Sequence, residues 1–264
     1  MVRFAHEMNG SWYPWSQQPI AYRLAFARIA RAVHTVPGAT MLSMSAQQYT
    51  EFLKSNKPTT NQTQTQQVQR VGKRIQAAVE LLEEFEEPTV VIIKHTNPCG
   101  VGSGATLEEA YAKALATDPK SAFGGIVAVN RPLTMEAATL LDKIFTEVVI
   151  APAFPDDVLE LLRKKKDRRL IRQEAPLRQR AGLQVKTVAG GVLVQTPDDV
   201  TLREESLRVA TKRAPSDAER KALLFAWRVA KHVKSNAIVY AREDRTIGVG
   251  AGQMSRFDSS RIAV

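Results

Sequence analysis

The sequence predicts an α/β fold, and three observations carry that expectation. Short β-branched runs recur between stretches of helical periodicity, as in TVVII at 89–93, GIVAV at 125–129 and EVVI at 147–150. Capping signals open two of the intervening stretches, Thr106-x-x-Glu109 and Ser216-x-x-Glu219. The 264 residues are 44% hydrophobic and 24% charged, enough to build a sizeable core without staples. Strands that alternate with helices in this way form layered structures in which helices cover a sheet.

Residues 1–80 read as a separate N-terminal segment, aromatic at its start and then polar. The stretch 58–69, PTTNQTQTQQVQ, is either a linker, placed at 55–68, or the polar start of a helix. Val68, Val71, Ile75, Ala78, Val79 and Leu82 then recur at spacings of three and four, one face of an amphipathic helix over about 66–85. The run at 89–93 stands behind Pro88 and reads as a buried strand. Thr106 caps a helix through about Ala116, and Asp118-Pro119 ends it. Residues 125–129 make a second strand, and Thr134 caps a helix through about Phe145. A third strand at 147–150 stops at Ala151-Pro152, and a helix at 156–166 leads to a short strand at 169–172. This first α/β unit is placed at 81–199 and a second unit at 200–264. Pro215 and Ser216 open a helix to about Val233, with Leu223, Leu224, Trp227 and Ala230 on its apolar face. Residues 237–240 and 246–249 flank a polar turn and read as a hairpin. No internal repeat is strong enough to use.

The net charge is +10, from 37 Lys+Arg against 27 Asp+Glu. That excess suits an anionic partner: nucleic acid, a phosphate ester or a polyanionic cofactor. The single cysteine, Cys99, excludes an intramolecular disulfide and a multi-cysteine zinc site. It fits a reducing, cytoplasmic compartment. His6, His34, His95 and His232 are dispersed and no HExxH occurs, so no metal is expected. No run approaches the roughly 18 apolar residues of a membrane span, and no membrane role is expected. The basic run 163–169, RKKKDRR, reads as the solvated end of a helix, favoured by the macrodipole. No aromatic residues interleave with it, so no nucleic-acid partner is expected.

Three glycine-containing stretches carry candidate chemistry. The first runs from Lys94 to Gly104, after a buried strand and before a capped helix, where ligands gather in open α/β sheets. Lys94 and His95 can exchange protons with a substrate there, and the glycines admit a close ligand. The plainer reading is a turn with an exposed lysine and a packed histidine. In the second, 121–125, the paired glycines either present backbone N–H groups to a ligand or simply turn into a strand. The third, GVGAGQMSR at 248–256, is a glycine-lined loop in which Arg256 can hold a phosphate. A dinucleotide site is not expected there, because the run follows a hairpin strand. Cys99 reads as an inert thiol.

Taken together, KHTNPCG at 94–100, DPKSAFGGIVAVNRPL at 118–133, EVVIAP at 147–152, KSNAIVYA at 234–241 and GVGAGQMSR at 248–256, followed by FDSSRIA, carry a specific resemblance. Over residues about 80–264 the chain resembles the transformylase part of the family that joins AICAR transformylase to IMP cyclohydrolase. The resemblance implies formyl transfer from 10-formyltetrahydrofolate to the 5-amino group of AICAR, in de novo purine (IMP) biosynthesis. It implies catalytic roles for Lys94, His95 and Asn236. His95 takes the proton of the attacking amine, Lys94 tunes it or protonates the leaving folate nitrogen, and Asn236 contacts AICAR near the reacting centre. It implies substrate contacts for Gly124, Glu147 and Arg256, and a folate-side position for Phe257. It also implies paired cytidine-deaminase-like α/β/α subdomains, one near complete and one partial, and a homodimer with sites across its interface.

Some features depart from that family. The RYGxNPHQ segment, which supplies a phosphate-binding arginine, is not found upstream of Lys94. No cyclohydrolase region is recognised and family members continue past the position of Val264, so no IMP cyclohydrolase activity and a truncated second subdomain are expected. Residues about 40–80 resemble the region upstream of the catalytic helix in bacterial membrane-associated zinc metallopeptidases, without the HExxH. The competing expectation is a catalytically inactive fragment, or an AICAR-binding module, of the transformylase.

Overall fold

The computed structural model of the chain describes residues 62–176, 183–188, 190–198, 200–202 and 204–264. Most of the expected N-terminal segment, with linker residues 55–61, lies outside these. The polar stretch after it forms the opening of helix α1 (Gln62–Leu82), so the helical reading of that stretch holds. Then follow β1 (Thr89–Lys94), β2 (Asn97–Ser103), α2 (Leu107–Thr117), the single turn α3 (Pro119–Ala122) and β3 (Gly125–Val129). Next come α4 (Met135–Asp142), β4 (Thr146–Ala151), α5 (Asp156–Arg163) and β5 (Arg169–Arg172). A hairpin of β6 (Gln184–Val188) and β7 (Gly191–Gln195) precedes α6 (Asp217–Lys231), β8 (Ile238–Ala241), β9 (Thr246–Gly250) and α7 (Arg256–Ile262).

Five strands form one mixed sheet in the order β2-β1-β3-β4-β5. β1 is antiparallel to both neighbours, while β3, β4 and β5 run parallel. Successive residues of a strand face opposite sides, so β1 feeds two cores. Val90 and Ile92 pack with Ala110 and Tyr111 of α2, Leu141 of α4 and Leu162 of α5. Val91 and Ile93 pack with Val79 and Leu82 of α1 and Phe225 and Val229 of α6. Helices therefore cover both faces, which is why these strands read as continuous apolar runs. The chain divides into two compact units, and α1 shares one of them, Thr59–Ala181 with Asp199–Val264, with the sheet. The β6–β7 hairpin belongs to the other unit; it pairs antiparallel from Gln184 opposite Gln195 to Val188 opposite Gly191.

The glycine-rich stretches differ most from the sequence reading. Residues 97–103 are a strand rather than a loop, and Gly100 and Gly102 face α2. A Cβ at Gly100 would stand 1.9 Å from Ala114 O, and one at Gly102 would stand 2.4 Å from Ala110 O. The missing side chains thus let helix backbone lie directly on strand backbone. Strand β9 repeats the device against α7, a helix the sequence reading did not foresee. There a Cβ at Gly248 or Gly250 would stand 1.6 Å from Ala263 O or 1.8 Å from Ser259 O. GVG, a Thr or Ser cap and a helix therefore occur twice, as an internal repeat that sequence comparison alone left unused. The run at 248–250 is not a phosphate loop.

Helix α6 also presents a different face. Phe225, Val229 and Val233 are buried, whereas Leu223 and Trp227 are each 62% exposed. Phe85 meets Phe225 with ring centroids 5.1 Å apart, and Glu84 holds both Lys231 and His232 at 3.0 Å. These contacts at the end of α1 turn the helix toward its aromatic side. The Ser216 capping box is complete, but at Thr106 the Glu109 carboxylate accepts from Ala105 N–H instead of the cap's own N–H. The basic run at 163–169 is only partly solvated. Arg168 is buried on Asp142 at 2.7 Å, and Lys165 reaches the same carboxylate at 3.2 Å. Hairpin β8–β9 docks beside β2. The Thr246 hydroxyl accepts from Val101 N–H at 2.9 Å and meets Thr117 Oγ1 at 2.8 Å, while Asp244 O accepts from Ser103 N–H. Among the described residues no helix is long and apolar enough to cross a membrane.

Candidate active site

Lys94, Gly124 and Glu147 lie at one edge of the sheet, with His95 in the turn beside Lys94. Because β1 runs against its neighbours, its carboxyl end lies beside the amino ends of β3, β4 and β5. Of these four strands only β1 brings its carboxyl end to this edge.

Lys94 ends β1 and pairs across the hairpin with Asn97, so His95 and Thr96 form a two-residue turn. His95 is exposed and has φ of 56°, a backbone region that costs a non-glycine residue energy. The twist of a tight hairpin demands that sign of φ. The packed histidine of the plainer sequence reading is therefore wrong, because the turn holds the imidazole out in solvent.

Lys94 Nζ donates to the Phe123 carbonyl. The next residue, Gly124, has φ of 66°, and its N–H donates to Phe145 O at 2.7 Å. A Cβ at Gly124 would stand 3.3 Å from Lys94 Nζ, so the lysine packs against the bare glycine. The N–H of Gly124 is thus used inside the protein and not offered to a ligand, contrary to one sequence reading.

Glu147, the second residue of β4, joins this edge through a side chain the sequence reading missed. Arg74 of α1 donates from Nη1 to Glu147 Oε2 at 2.9 Å and from Nη2 to Gly124 O at 3.4 Å. Arg169 approaches Glu147 Oε1 at 3.4 Å. Arg74 and Arg169 thus flank the Glu147 carboxylate, and Lys94 stands against Gly124 nearby, which leaves the edge electropositive. The only signal of Arg74 in the sequence is its place on the apolar stripe of α1, where a charge must find a partner.

Asn236 lies between α6 and β8, after a cis Ser235–Asn236 peptide. Its Nδ2 donates to Gln253 O at 3.0 Å and Met254 O at 2.9 Å, and its own carbonyl accepts from Ser259 Oγ at 2.7 Å. Asn97 Oδ1 accepts from Lys234 N–H at 2.9 Å. That bond ties the Asn236 loop to the hairpin that carries Lys94 and His95. Arg256 and Phe257 open α7, both exposed, and Arg261 stacks 5.9 Å from the Phe257 ring. No hydrogen bond or ion pair joins Arg256 to the other candidate residues.

Cys99 is half-buried on β2 and donates to Ile92 O at 3.5 Å. Burial first, then the nearby Asp118 charge, pushes its thiol up to about 12, which suits the inert reading. Among the described residues no group of three or more His, Cys, Asp or Glu is arranged to hold a metal ion.

Comparison with known proteins gives this geometry its context. A family model described as AICARFT/IMPCHase bienzyme matches residues 44–264, a stretch that starts ahead of the motifs and takes in all of α1. The chain is 59% identical over 191 residues to the bifunctional purine biosynthesis protein PurH of Chloroflexus aurantiacus, covering 71% of this chain and 37% of that protein. It is 57% identical over 191 residues to PurH of Chlorobium phaeobacteroides (strain DSM 266), covering 72% of this chain and 36% of that protein. The chain thus spans a little over a third of the length of these curated relatives. Among solved structures, Acinetobacter baumannii RibD, form 1, matches with a TM-score of 0.27 and 20% identity over 39% of this chain and 33% of that one, too slight a likeness to bear on the fold. With a family model matching residues 44–264, the chain belongs to the AICARFT/IMPCHase bienzyme family.

Proposed function

We propose that this chain carries the AICAR-handling half of a formyl-transfer site. One observation carries the reading: Asn97 ties the Lys94–His95 hairpin to the Asn236 loop, so segments that carry candidate catalytic groups and lie far apart in sequence are held side by side. AICAR is an anionic nucleotide, and Lys94, Arg74 and Arg169 supply the positive surroundings it requires. Glu147 offers carboxylate oxygens to its hydroxyl or amine N–H groups. His95, held in solvent on a strained turn, accepts the proton that the 5-amino group loses as its nitrogen bonds to the formyl carbon. Lys94 supplies a positive charge beside it and a proton to the folate nitrogen of the donor, whose bond to the formyl carbon breaks as the new bond forms. Asn236 keeps its Oδ1 free for substrate while its Nδ2 fixes the loop.

The formyl donor of this reading, 10-formyltetrahydrofolate, supplies the transferred group when bound. The residues present fit one part of it: the Phe257 ring is 71% exposed and backed by Arg261, a flat surface on which a pteridine can stack. The same reading includes cytidine-deaminase-like layering of the two hairpin–helix units, a homodimer and a cytoplasmic location, supported by the family relationship and by the single half-buried cysteine.

A second reading, AICAR binding without turnover, is favoured by the His95 ring, which has no hydrogen-bond partner among the described residues to orient it. A general base works best when a third group holds it. Formyl transfer to AICAR by the purified chain, beside a His95→Ala variant, separates the two. Turnover abolished in the variant supports the transferase. AICAR binding by calorimetry with no turnover supports the binding module. A folded chain with neither refutes both.

A further inference from the structure

Arg74 lies three residues after Val71 and four before Ala78, inside the apolar stripe of α1. A guanidinium there is costly unless paired. Its side chain is 16% exposed, and its buried Nε has no hydrogen-bond partner. The two contacts of its fork, to Glu147 Oε2 and to Gly124 O, lie at the starts of two neighbouring strands. A planar fork meets the two acceptors with separate N–H nitrogens, whereas a lysine must bring one nitrogen within reach of both.

The groups around it are already used. Lys94 caps the Phe123 carbonyl, Arg74 caps the Gly124 carbonyl, and Gly124 N–H is given to Phe145 O. Glu147 Oε2 is held by Arg74, but among the described residues Oε1 meets only Arg169 at 3.4 Å, from a side chain 59% exposed. Oε1 is therefore the acceptor that an incoming N–H or O–H group can reach, by displacing a surface arginine.

We infer that Arg74 is a positioning residue of the candidate site. It fixes the Glu147 carboxylate with Oε1 outward and clamps the Phe123–Gly124 turn against Lys94, ready for AICAR. This rests on the reading of the edge as an AICAR site.

The test uses the full chain and the variants R74M, R74K, E147Q and R74M/E147Q. Folding is checked by circular dichroism, AICAR affinity by calorimetry, and clamping of the turn by amide hydrogen exchange over 122–127. R74M should weaken AICAR about tenfold, the scale of one lost charge-assisted contact. R74K should lose less, since it keeps a charge on Glu147 but gives up Gly124 O. The loss in the double variant should be smaller than the sum of the two single losses, because E147Q already removes one of the two Arg74 contacts, and exchange at Gly124 should quicken in R74M. Wild-type affinity in R74M, or losses that add in the double variant, overturns the inference. If R74M fails to fold, R74K carries the comparison by the same criteria. If the wild-type chain binds no AICAR while R74M still loosens 122–127, the substrate reading falls and the clamp stands; if R74M leaves that exchange unchanged as well, both fall.

Discussion

A methyl group added at Gly102 or Gly250 applies one perturbation to two helices that are held very differently. At Gly250 the new Cβ would stand 1.8 Å from Ser259 O and 2.6 Å from its carbonyl carbon; at Gly102 it would stand 2.4 Å from Ala110 O and 2.6 Å from Ala114 N. Ordinary contact begins at 3.4 Å, so α7 must retreat about 1.6 Å and α2 about 1.0 Å. In both cases the obstacle is backbone, which cannot swing aside. Helix α2 is anchored by Leu107, Ala110, Tyr111 and Ala114, none more than 5% exposed. Its retreat opens the core, and Gly102→Ala should cost about 3 kcal/mol, the upper range for overpacking. Helix α7 buries Ser259 and then Ala263 just past its end, so it can leave the sheet. Gly250→Ala should therefore cost only the docking of one short helix, about 1 kcal/mol. It should also free the Asn236 carbonyl from the Ser259 hydroxyl and so loosen the site. Urea unfolding gives the global loss, and hydrogen exchange over 256–263 gives the local one. Equal global losses in the two variants, or fully protected α7 amides in Gly250→Ala, would refute the argument.

Other consequences follow from single residues. His95→Gly and His95→Ala both remove the imidazole, but only glycine suits φ of 56°, so the glycine variant should be about 1 kcal/mol more stable in urea titrations. The folded Cys99 thiol stays protonated up to about 12, so iodoacetamide at pH 8 should label it only when urea unfolds the chain. The unfolded thiol ionises nearer 9, so this group should lower stability as pH rises above about 9, and Cys99→Ala should remove that alkaline loss. Burial alone would raise the Asp142 carboxyl, but Arg168 and then Lys165 more than offset it and hold it below the usual carboxylate range. The stability it contributes is present above the ordinary carboxylate pKa and is lost as pH falls through the folded one. Asp142→Asn should flatten that acid loss, measured as unfolding free energy against pH, and cost about 3 kcal/mol at neutral pH by stranding buried Arg168.

Much of the site was legible because it is built from local words. Lys94-His95, Gly124, Glu147 and Asn236 were picked out as candidates through the resemblance of short stretches; Lys94, Gly124 and Glu147 lie at the sheet edge, and the Asn236 loop is tied to it through Asn97. Arg74 was not legible, since its partners lie 50 and 73 residues away and nothing beside it in sequence points to them.

The sequence by itself determined where several of the strands and helices begin. Runs such as TVVII and GIVAV bury on both faces wherever they pack, and the Ser216 box closes within four residues. These are short-range effects of side-chain shape and backbone capping. Only the tertiary structure decided what the glycines are for. Gly100, Gly102, Gly248 and Gly250 look like loop residues because they lack side chains, yet they lie in strands because a helix backbone fills the space where a Cβ would stand. The same holds for α6, whose Leu223–Trp227 stripe and Phe225–Val229 stripe are both apolar. The ring of Phe85, far away in sequence, selects the second. A residue's own chemistry sets its local conformation, but which of its faces is covered depends on surfaces that only chain folding brings together.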